Sequence, residues 1–337
     1  MSASTAITTV PPTLFLTDDD VSQLHSWRDA IDALRAAYAL PIQAQMVPPR
    51  SMARGDGIWL RALSAISPSG GHLGSKLISA SPRAGCASYL ISLFDERTMA
   101  LSALIDGNQI TAIRTAATAA IAIDALAPQQ PLRVAVIGSG FEARSQLNAL
   151  HAARVLKSVS VFSPTPVSRE RFAADFRERL GIDIRACASA EAAVAGADVV
   201  ICAARSRDES PVLLGQWLEP DMTVVSIGST LPEQREVDID VISRAGLIVA
   251  DMVEEVEHDT GDMIAAHHAG IQFADKLHSL GELIGGRLAP RPSGSIALYK
   301  SVGSALQDVV TAEMLLRRAR ESGRGSPLPV SITPVRK

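Results

Sequence analysis

The sequence has little of several features that mark specialised classes of protein. Aromatic residues make up only 4% of the 337 positions, and there are only three cysteines, Cys86, Cys187 and Cys202. Three scattered cysteines cannot all pair and lack the close spacing of a metal site, so we expect reduced, structural thiols. No apolar run approaches the ~18 residues of a membrane span, and stretches such as 199–204 fit buried strands.

A surplus of basic charge is also missing. The 32 basic and 36 acidic side chains give a net charge of −4, whereas a general nucleic-acid binder is expected to be basic. The first 12 residues lack the basic segment and apolar core that mark a secretory signal. We therefore expect a soluble cytoplasmic enzyme with neither a nucleic-acid nor a membrane partner.

The first part of the chain predicts a mixed α/β domain. Apolar residues recur at helical spacing from Val21 to Tyr38, and a long Ala-rich helix is predicted from about Thr111 to Leu126. Between them, short apolar runs from Trp59 to Leu104 alternate with Gly, Pro and Ser clusters, which is typical of an antiparallel meander.

From Leu132 onward, apolar strands alternate with helix-length segments, which predicts an α/β fold with a doubly wound parallel Rossmann sheet. We assign residues 126–299 to a dinucleotide-binding domain. Residues 13–125 plus 300–322 form the substrate-binding domain, because the last helix is expected to return to the first domain. Residues 1–12 and 323–337 are expected to be loose tails.

A glycine-rich turn carries the nucleotide prediction. Gly138-Ser-Gly-Phe-Glu-Ala143 matches G-x-G-x-x-G/A, follows a predicted strand and opens a predicted helix. In such turns the glycines permit a tight bend and close approach of a pyrophosphate, and the helix N-terminus binds phosphate. A purely structural turn is the alternative. The predicted contacts here are Gly138, Gly140, Phe141, Glu142 and Ala143.

The end of the next strand favours NADP(H), with NAD(H) as the other possibility. An NAD site usually has an acid there for the ribose hydroxyls, but this chain has none between Phe162 and Arg169. Ser163, Thr165 and Arg169 could instead surround a 2′-phosphate, with Arg169 supplying charge-assisted hydrogen bonds. Arg169 could equally be a solvated residue at the start of a helix.

Three basic residues of the first domain, Arg50, Lys76 and Arg114, are candidates for the substrate site. Lys76 lies in a predicted strand among apolar neighbours, and Arg114 lies near the start of the Ala-rich helix. A cation in such surroundings needs an anionic partner. That partner is either a structural carboxylate or a ligand.

Six segments together resemble the ornithine cyclodeaminase/mu-crystallin family over residues 15–322. They are the Gly-x-Lys strand at Lys76, Asp106-Gly with Thr111-Ala-Ile-Arg-Thr-Ala-Ala, the turn at 138–143, Ser226-Ile-Gly-Ser-Thr-Leu-Pro-Glu-Gln-Arg-Glu236, Thr260-Gly-Asp262 and Tyr299-Lys-Ser-Val-Gly303.

The resemblance implies a homodimer built on the first domain, with active sites between the domains and redox chemistry at the α-carbon of amino or imino acids. It implies that Arg50, Lys76 and Arg114 hold the substrate carboxylate and act near the α-carbon, and that Thr115 contacts the cofactor phosphates. We also assign Gly228 and Ser301 to the cofactor site.

Two positions depart from the family pattern. Cyclodeaminases carry an aspartate where this chain has Thr230, and a threonine hydroxyl cannot replace a carboxylate as general base. Thr230, kept as a substrate contact, therefore argues against ornithine cyclisation and for imine reduction. Arg61 lies where family members often have Met-Pro-Ala. It either contacts a second substrate carboxylate or is an outward-facing strand residue.

These observations predict NAD(P)H-dependent reduction of an α-imino acid to an L-amino acid, or the reverse oxidation. Lys76 would donate the proton, with a pKa lowered by burial and by Arg114. Redox-neutral ammonia release of the cyclodeaminase type is the alternative, and a non-catalytic dinucleotide-dependent binder is a further one. We expect no metal, because His258, His267 and His268 lack companions at ligand spacing.

Overall fold

The computed structural model describes residues 11–206 and 208–335, so residues 1–10 of the predicted N-terminal tail lie outside the described residues. The strands of the first sheet are β1 (Leu14–Leu16), β2 (Ser51–Gly55), β3 (Ile58–Ile66), β4 (His72–Ser81), β5 (Cys86–Asp95), β6 (Leu101–Asp106) and β15 (Ser326–Pro327). Those of the second are β7 (Leu132–Ile137), β8 (Leu156–Phe162), β9 (Asp183–Ala186), β10 (Val199–Cys202), β11 (Thr223–Ser226), β12 (Ala245–Ala250), β13 (Leu277–Ser279) and β14 (Ile296–Lys300).

Eleven α-helices connect and cover these strands in the described residues. They are α1 (Asp18–Leu24), α2 (Trp27–Ala39), α3 (Asn108–Leu126), α4 (Phe141–Ala153), α5 (Pro166–Leu180), α6 (Ala190–Val194), α7 (Ile239–Arg244), α8 (Val253–Asp259), α9 (Gly261–His268), α10 (Leu280–Ile284) and α11 (Ala305–Ser322). Within the same residues, no helix is long and apolar enough to cross a bilayer.

The first sheet is mixed. Its strand order is β15-β1-β6-β5-β4-β3-β2, with β2 to β6 antiparallel and β1 parallel to β6. The predicted antiparallel meander is therefore confirmed, and β2 extends it at one edge. Exposed residues of β3 alternate, at all but one position, with half-buried or buried ones, which is the period of a sheet with one covered face. Helices α3 and α11 pack on the covered face.

The second sheet is parallel throughout, with the order β13-β12-β14-β11-β10-β7-β8-β9. This confirms the predicted doubly wound α/β architecture. Its central strands β10, β11 and β14 are buried along their whole length, because helices cover both faces. The order reverses beside β7, so the carboxyl ends of β7 and β10 border the crevice where such sheets bind ligands.

Helix α3 joins the two sheets. Its first turns follow directly on β6 of the first sheet, and it packs against α2, α4 and α11. Its alanines at 116, 117, 119, 120 and 122 are all buried. Small side chains let four helices approach closely here, which explains the Ala-rich composition of this segment. The beginning of α3 consequently has a fixed position relative to the nucleotide turn at the start of α4.

Two sequence predictions need correction. The pattern from Val21 to Tyr38 forms two helices, because Ser26 interrupts it between α1 and α2. The Ser26 side chain is the N-cap of α2 and accepts a hydrogen bond from the backbone amide of Asp29.

The C-terminal segment is not wholly loose either. Ser326–Pro327 pairs with β1, and Leu328 N donates to Thr13 O at 2.8 Å.

Candidate active site between the two sheets

A cleft of 540 Å³ lies between the two sheets. Its walls come from the covered face of β3 to β5, the first half of α3, the first turn of α4 and the loops that follow β10, β11 and β14. Of the residues predicted from sequence, it brings together Lys76, Arg114, Thr115, Glu142, Gly228, Thr230 and Ser301.

Lys76 is the most deeply buried cation of the cleft. Its side chain is 1% exposed, and Nζ donates to Thr111 Oγ1 at 2.7 Å and to Asp308 Oδ1 at 2.8 Å. Burial lowers the pKa of Lys76, the charge of Asp308 raises it, and the charge of Arg114 lowers it again. The direction agrees with the sequence-based expectation, but the expectation missed Asp308 on α11.

Arg114 shares the same carboxylate. Its Nε lies 3.4 Å from Asp308 Oδ1, and its Nη1 donates to Gln307 Oε1 at 3.0 Å. The guanidinium packs against Gly303, where a Cβ would lie 2.4 Å from Nη1 and where φ is +81°. Only glycine fits this close approach and this backbone conformation. Lys76 and Arg114 therefore meet at one carboxylate on the wall of the cleft.

Asp251 fixes the loop that carries Gly303. Its carboxylate accepts hydrogen bonds from Ser301 Oγ at 2.6 Å, Val302 N at 3.0 Å and Gly303 N at 2.9 Å. The side-chain amide of Gln307, through Nε2, also donates to this carboxylate at 3.0 Å. Ser301 is thus held at the cleft by a residue that follows β12. Side-chain hydrogen bonds also connect Asp251 through Gln307 to Arg114.

Arg50 lies beside the cleft and not in its lining. It forms an ion pair with Glu255, and its amide donates to Glu255 Oε1 at 3.1 Å. The guanidinium also donates to the carbonyls of Val302 and Gly303. Arg50 lines an adjoining pocket of 220 Å³ that shares Arg61, Thr230 and Val302 with the main cleft. The structural carboxylate, Glu255, was not identified from the sequence.

The loop after β11 rests on a buried charged cluster formed by Lys300, Asp262 and Glu236. The Lys300 ammonium lies 2.9 Å from Asp262 Oδ2 and donates to Ser226 Oγ and to Ser229 O, both at 2.9 Å. Glu236 accepts from Ser226 Oγ at 2.6 Å and from Gly228 N at 2.9 Å. The cluster therefore holds the backbone that presents Gly228 and Thr230 to the cleft.

Thr230 faces the cleft beside a glutamine. Its amide donates to Gln234 Oε1 at 3.0 Å, and its hydroxyl lies 3.4 Å from the same oxygen. The hydroxyl is therefore placed to bind a polar group of a ligand. Unlike a carboxylate, it cannot act as a general base near neutral pH.

The glycine-rich turn has the geometry that a dinucleotide requires. Gly138 has φ of +121°, and a Cβ there would lie 2.6 Å from the carbonyl oxygen of Ala203. Nothing lies within 4 Å of a Cβ at Gly140, the N-cap of α4, so space is open in front of this helix. Ala143 is buried against the sheet and Phe141 is 61% exposed. The first amides of α4 can therefore bind a pyrophosphate.

Glu142 points into the cleft, toward the cations. Its Oε2 is buried and has no hydrogen-bond partner among the described residues. Burial raises the pKa of Glu142, and the charges of Arg114 and Lys76 lower it. Thr115 also faces the cleft while its hydroxyl donates to Thr111 O at 2.6 Å. The nucleotide turn and the cationic wall thus border the same space.

The end of β8 forms a small polar cluster next to the glycine-rich turn. Ser139 Oγ donates to Ser163 Oγ at 2.9 Å, and Arg169 Nη1 donates to Ser163 O at 2.9 Å. The Arg169 guanidinium lies 5.8 Å from the ring centre of Phe162 and has no ion pair within the described parts of the chain. Thr165 is exposed at the N-cap of α5.

Across residues 11–206 and 208–335, no three His, Cys, Asp or Glu residues form a group that could hold a metal ion.

Known proteins resemble this chain over most of its length. Residues 12–323 match the ornithine cyclodeaminase/mu-crystallin family. The chain is 32% identical over 225 residues to the ketimine reductase mu-crystallin of Mus musculus, a match that covers 67% of each chain.

Two solved structures have the same fold over nearly the whole chain. One is the Delta(1)-pyrroline-2-carboxylate reductase of Thermococcus litoralis in complex with NADH and L-proline, with a TM-score of 0.85, 27% identity, and coverage of 94% of this chain and 100% of that one. The other is an archaeal alanine dehydrogenase dimer with bound NAD, also with a TM-score of 0.85 and 27% identity, covering 94% and 98% of the two chains.

The buried cluster predicts a pH-dependent stability. Burial raises the pKa of Glu236 from 4.5 to about 7, although Lys300 and the hydrogen bonds from Ser226 and Gly228 lower it. The native state then binds more protons than the unfolded state between pH 4.5 and about 7. The free energy of unfolding should therefore fall as pH rises through this window, and Glu236→Gln should make that slope shallower.

Urea denaturation at a series of pH values measures the slope. Glu233→Gln is the matched control, because Glu233 is exposed only three residues away and should leave the slope as in the unmodified protein. Equal slopes for Glu236→Gln and the unmodified protein would contradict the assignment of the proton to Glu236.

Proposed function

The chain belongs to the ornithine cyclodeaminase/mu-crystallin family, and on that premise we propose that it is an oxidoreductase that reduces an α-imino acid to an L-amino acid, or oxidises the amino acid. The imine is a cyclic ketimine or the condensation product of a keto acid and an amine. The observation that carries this proposal is the arrangement of Lys76, Asp308 and Arg114 on the wall that faces the glycine-rich turn.

Arg114 is the proposed site for the substrate's α-carboxylate. Its guanidinium lines the cleft, and its position is fixed on two sides by Asp308 and Gln307. A fixed guanidinium fork binds a carboxylate with two parallel charge-assisted hydrogen bonds. Arg50 supports this subsite through the Val302 and Gly303 carbonyls that it holds beside Arg114. Thr230 lines the same cleft and is a further proposed contact of the substrate.

Lys76 is the proposed proton donor. A nicotinamide dinucleotide bound at the Gly138–Ala143 turn, with Thr115, Gly228 and Ser301 near it, would supply the hydride. Reduction of the C=N bond adds that hydride to carbon and a proton to nitrogen, and the Lys76 ammonium supplies the proton. Because burial lowers its pKa, the ammonium releases the proton more readily than an exposed lysine would. Solvent then reprotonates the amine, and Asp308 stabilises the restored charge.

A redox-neutral cyclodeaminase reaction is less well supported. The loop after β11 presents the hydroxyl of Thr230 to the cleft, with Gln234 beside it and no aspartate in that part of the loop. Neither an amide nor an alcohol accepts a proton as a general base near neutral pH. Net consumption of a reduced cofactor separates reduction from redox-neutral turnover and from simple ligand binding.

The preference for NADP(H) over NAD(H) is part of the proposal. Ser163, Thr165 and Arg169 surround the end of β8, and the one hydrogen bond that fixes Arg169 leaves its other nitrogens available. The N-terminus of α5 adds a positive dipole end at the same place. A 2′-phosphate would satisfy both.

We also propose that two copies pair through the outer face of the first sheet. Leu60 is 47% exposed, and Leu77 and Leu90, which pair across β4 and β5, are each 37% exposed. Ile58 and Ile66 extend the same apolar face. A patch of this kind on a sheet is typical of an interface, and the alanine dehydrogenase relative is described as a dimer.

The first prediction from the proposed function concerns turnover. With NADPH or NADH, the protein should consume the reduced cofactor in the presence of pyrroline-2-carboxylate, piperideine-2-carboxylate, or pyruvate with an amine. Lys76→Met should reduce kcat at least ~100-fold, since general acid catalysis contributes about 10²- to 10⁴-fold. Absorbance at 340 nm measures turnover, and cofactor fluorescence measures binding, which should be unchanged.

Lys157→Met is the matched control, because Lys157 is exposed on β8. Full turnover by Lys76→Met would remove Lys76 from the mechanism. A lack of cofactor consumption by the unmodified protein with all of these substrates would contradict the proposed reaction.

The second prediction concerns the cofactor. Arg169→Ala should raise KM for NADPH about tenfold or more and leave KM for NADH nearly unchanged, because a lost charge-assisted hydrogen bond costs about 1.5–3 kcal/mol. Arg171→Ala, at an exposed position of the same helix, should change neither. An equal effect of Arg169→Ala on both cofactors would argue for a structural role.

The third prediction concerns assembly. Leu77→Asp places a charge in the centre of the apolar face and should shift the protein from dimer to monomer in light scattering coupled to size exclusion. Val155→Asp is the control, because Val155 is 70% exposed in the loop between α4 and β8, away from the first sheet. A monomeric unmodified protein, or a dimer that survives Leu77→Asp, would contradict this interface.

A further inference from the structure

Arg61 lies on the same face of the first sheet as Lys76. On β3 and β4, Arg61 pairs with Ile78 and Leu63 pairs with Lys76, so Arg61 and Lys76 are diagonal neighbours in adjacent rows. Diagonal neighbours of this kind are about 7–8 Å apart. Ile78 and Tyr89 continue the row of Arg61 toward β5. Arg61 therefore lines the same cleft as the proposed proton donor, one row further along the sheet.

Arg61 has no anionic partner among the described residues. It makes no ion pair or side-chain hydrogen bond there, and its buried Nε is without an acceptor. Its guanidinium stacks over Trp59, 5.2 Å from the ring centre. Among the acids, Glu255 has the largest electrostatic effect on Arg61. Its carboxylate, however, is bound by Arg50 through both the guanidinium and the backbone amide.

The other three basic residues assigned to the substrate site each have a carboxylate partner. Lys76 and Arg114 share Asp308, and Arg50 pairs with Glu255. Burial and the nearby charge of Arg50 lower the pKa of Arg61 to about 10. The half-buried guanidinium therefore stays charged at neutral pH, without the ion pair that normally compensates such a cation. An anion bound beside it would supply that compensation.

We propose that Arg61 binds a second carboxylate, on the side chain of the substrate, so that the preferred α-imino acids are those of acidic amino acids. This inference rests on the proposed function, because it takes the α-carboxylate to lie at Arg114. The rows of the sheet then give the orientation: the α-carbon lies near Lys76, and the side chain runs along β3 and β4 toward Arg61. The junction with the adjoining 220 Å³ pocket provides the room.

The proposed ligands carry two other kinds of anionic group, the cofactor phosphates and the substrate's α-carboxylate, and neither fits Arg61 as well. Cofactor phosphates would bind at the first amides of α4, at the glycine-rich turn. The α-carboxylate must stay within reach of Lys76 for a proton to pass to the adjacent nitrogen, and Arg114 shares Asp308 with that lysine. Arg205, the remaining arginine of the cleft, is exposed on a loop and lies 3.9 Å from Glu209.

The test compares substrates that are matched in length. 2-Oxoglutarate and 2-oxopentanoate have five carbons each and differ in a terminal carboxylate against a methyl group. Calorimetry with saturating oxidised cofactor gives their affinities, and cofactor oxidation in the presence of methylamine gives kcat/KM. We expect the dianion to be favoured about 10- to 100-fold in both, as one charge-assisted pair provides. Arg61→Met should abolish the preference by weakening the dianion alone.

Two further variants serve as controls. Arg61→Lys keeps the charge without the fork and should restore part of the preference. Arg83→Met removes an exposed arginine from the turn between β4 and β5, outside both pockets, and should leave the preference intact, which separates a specific contact from the general positive potential.

The outcomes distinguish this inference from the reaction itself. If the unmodified protein has no preference, or if Arg61→Met weakens both ligands equally, the second-carboxylate site is wrong. If calorimetry gives the preference and its loss in Arg61→Met but no cofactor is consumed, the site stands and the proposed reduction fails. If cofactor is consumed but the dianion is not preferred, the proposed reduction stands and the second-carboxylate site fails.

Discussion

A single buried carboxylate, Asp308, organises the cationic wall of the cleft. It binds the Lys76 ammonium at 2.8 Å and lies 3.4 Å from Arg114 Nε, while its own side chain is 2% exposed. Breaking a buried pair of this kind typically costs about 3–5 kcal/mol, so neither cation can leave without a large penalty. The carboxylate is carried by α11, which packs on both α3 and β4. The geometry of the site therefore depends on the helix that returns to the first sheet.

The opposite wall depends on a second set of buried charges. Lys300 and Asp262 lie under the loop after β11, and Asp251 lies under the loop after β14. Each binds backbone groups of a loop that borders the cleft. Loops at the carboxyl ends of parallel strands have few apolar contacts of their own, and hydrogen bonds from buried charged groups give them fixed positions. Both sides of the site are thus rigid for the same physical reason.

Sequence reasoning could predict the fold and the cations but not their partners. The strand-turn-helix at Gly138 and the alternation from β7 to β14 are local signals, and they gave the parallel sheet. Asp308, Glu255 and Asp251 pair with residues far away in the chain, such as Asp308 with Lys76, 232 positions earlier. On an amphipathic helix an acid is normally solvated, so it gives no local sign of burial. The one available signal was that Gln307 and Asp308 interrupt an otherwise apolar and small run near the start of α11.

The charges of the cleft are unbalanced in a way that favours an anionic ligand. Lys76 and Arg114 carry two positive charges against the one of Asp308, and burial pushes Glu142 toward its neutral form. An uncompensated cation in a partly buried site raises the free energy of the empty protein, and an anionic ligand removes that cost when it binds. In the proposed reaction Lys76 is neutral after proton transfer, so the positive charge beside the substrate falls by one. Binding and release would then be coupled to the proton on Lys76, because the ammonium that attracts the anionic substrate loses its charge once the substrate has reacted.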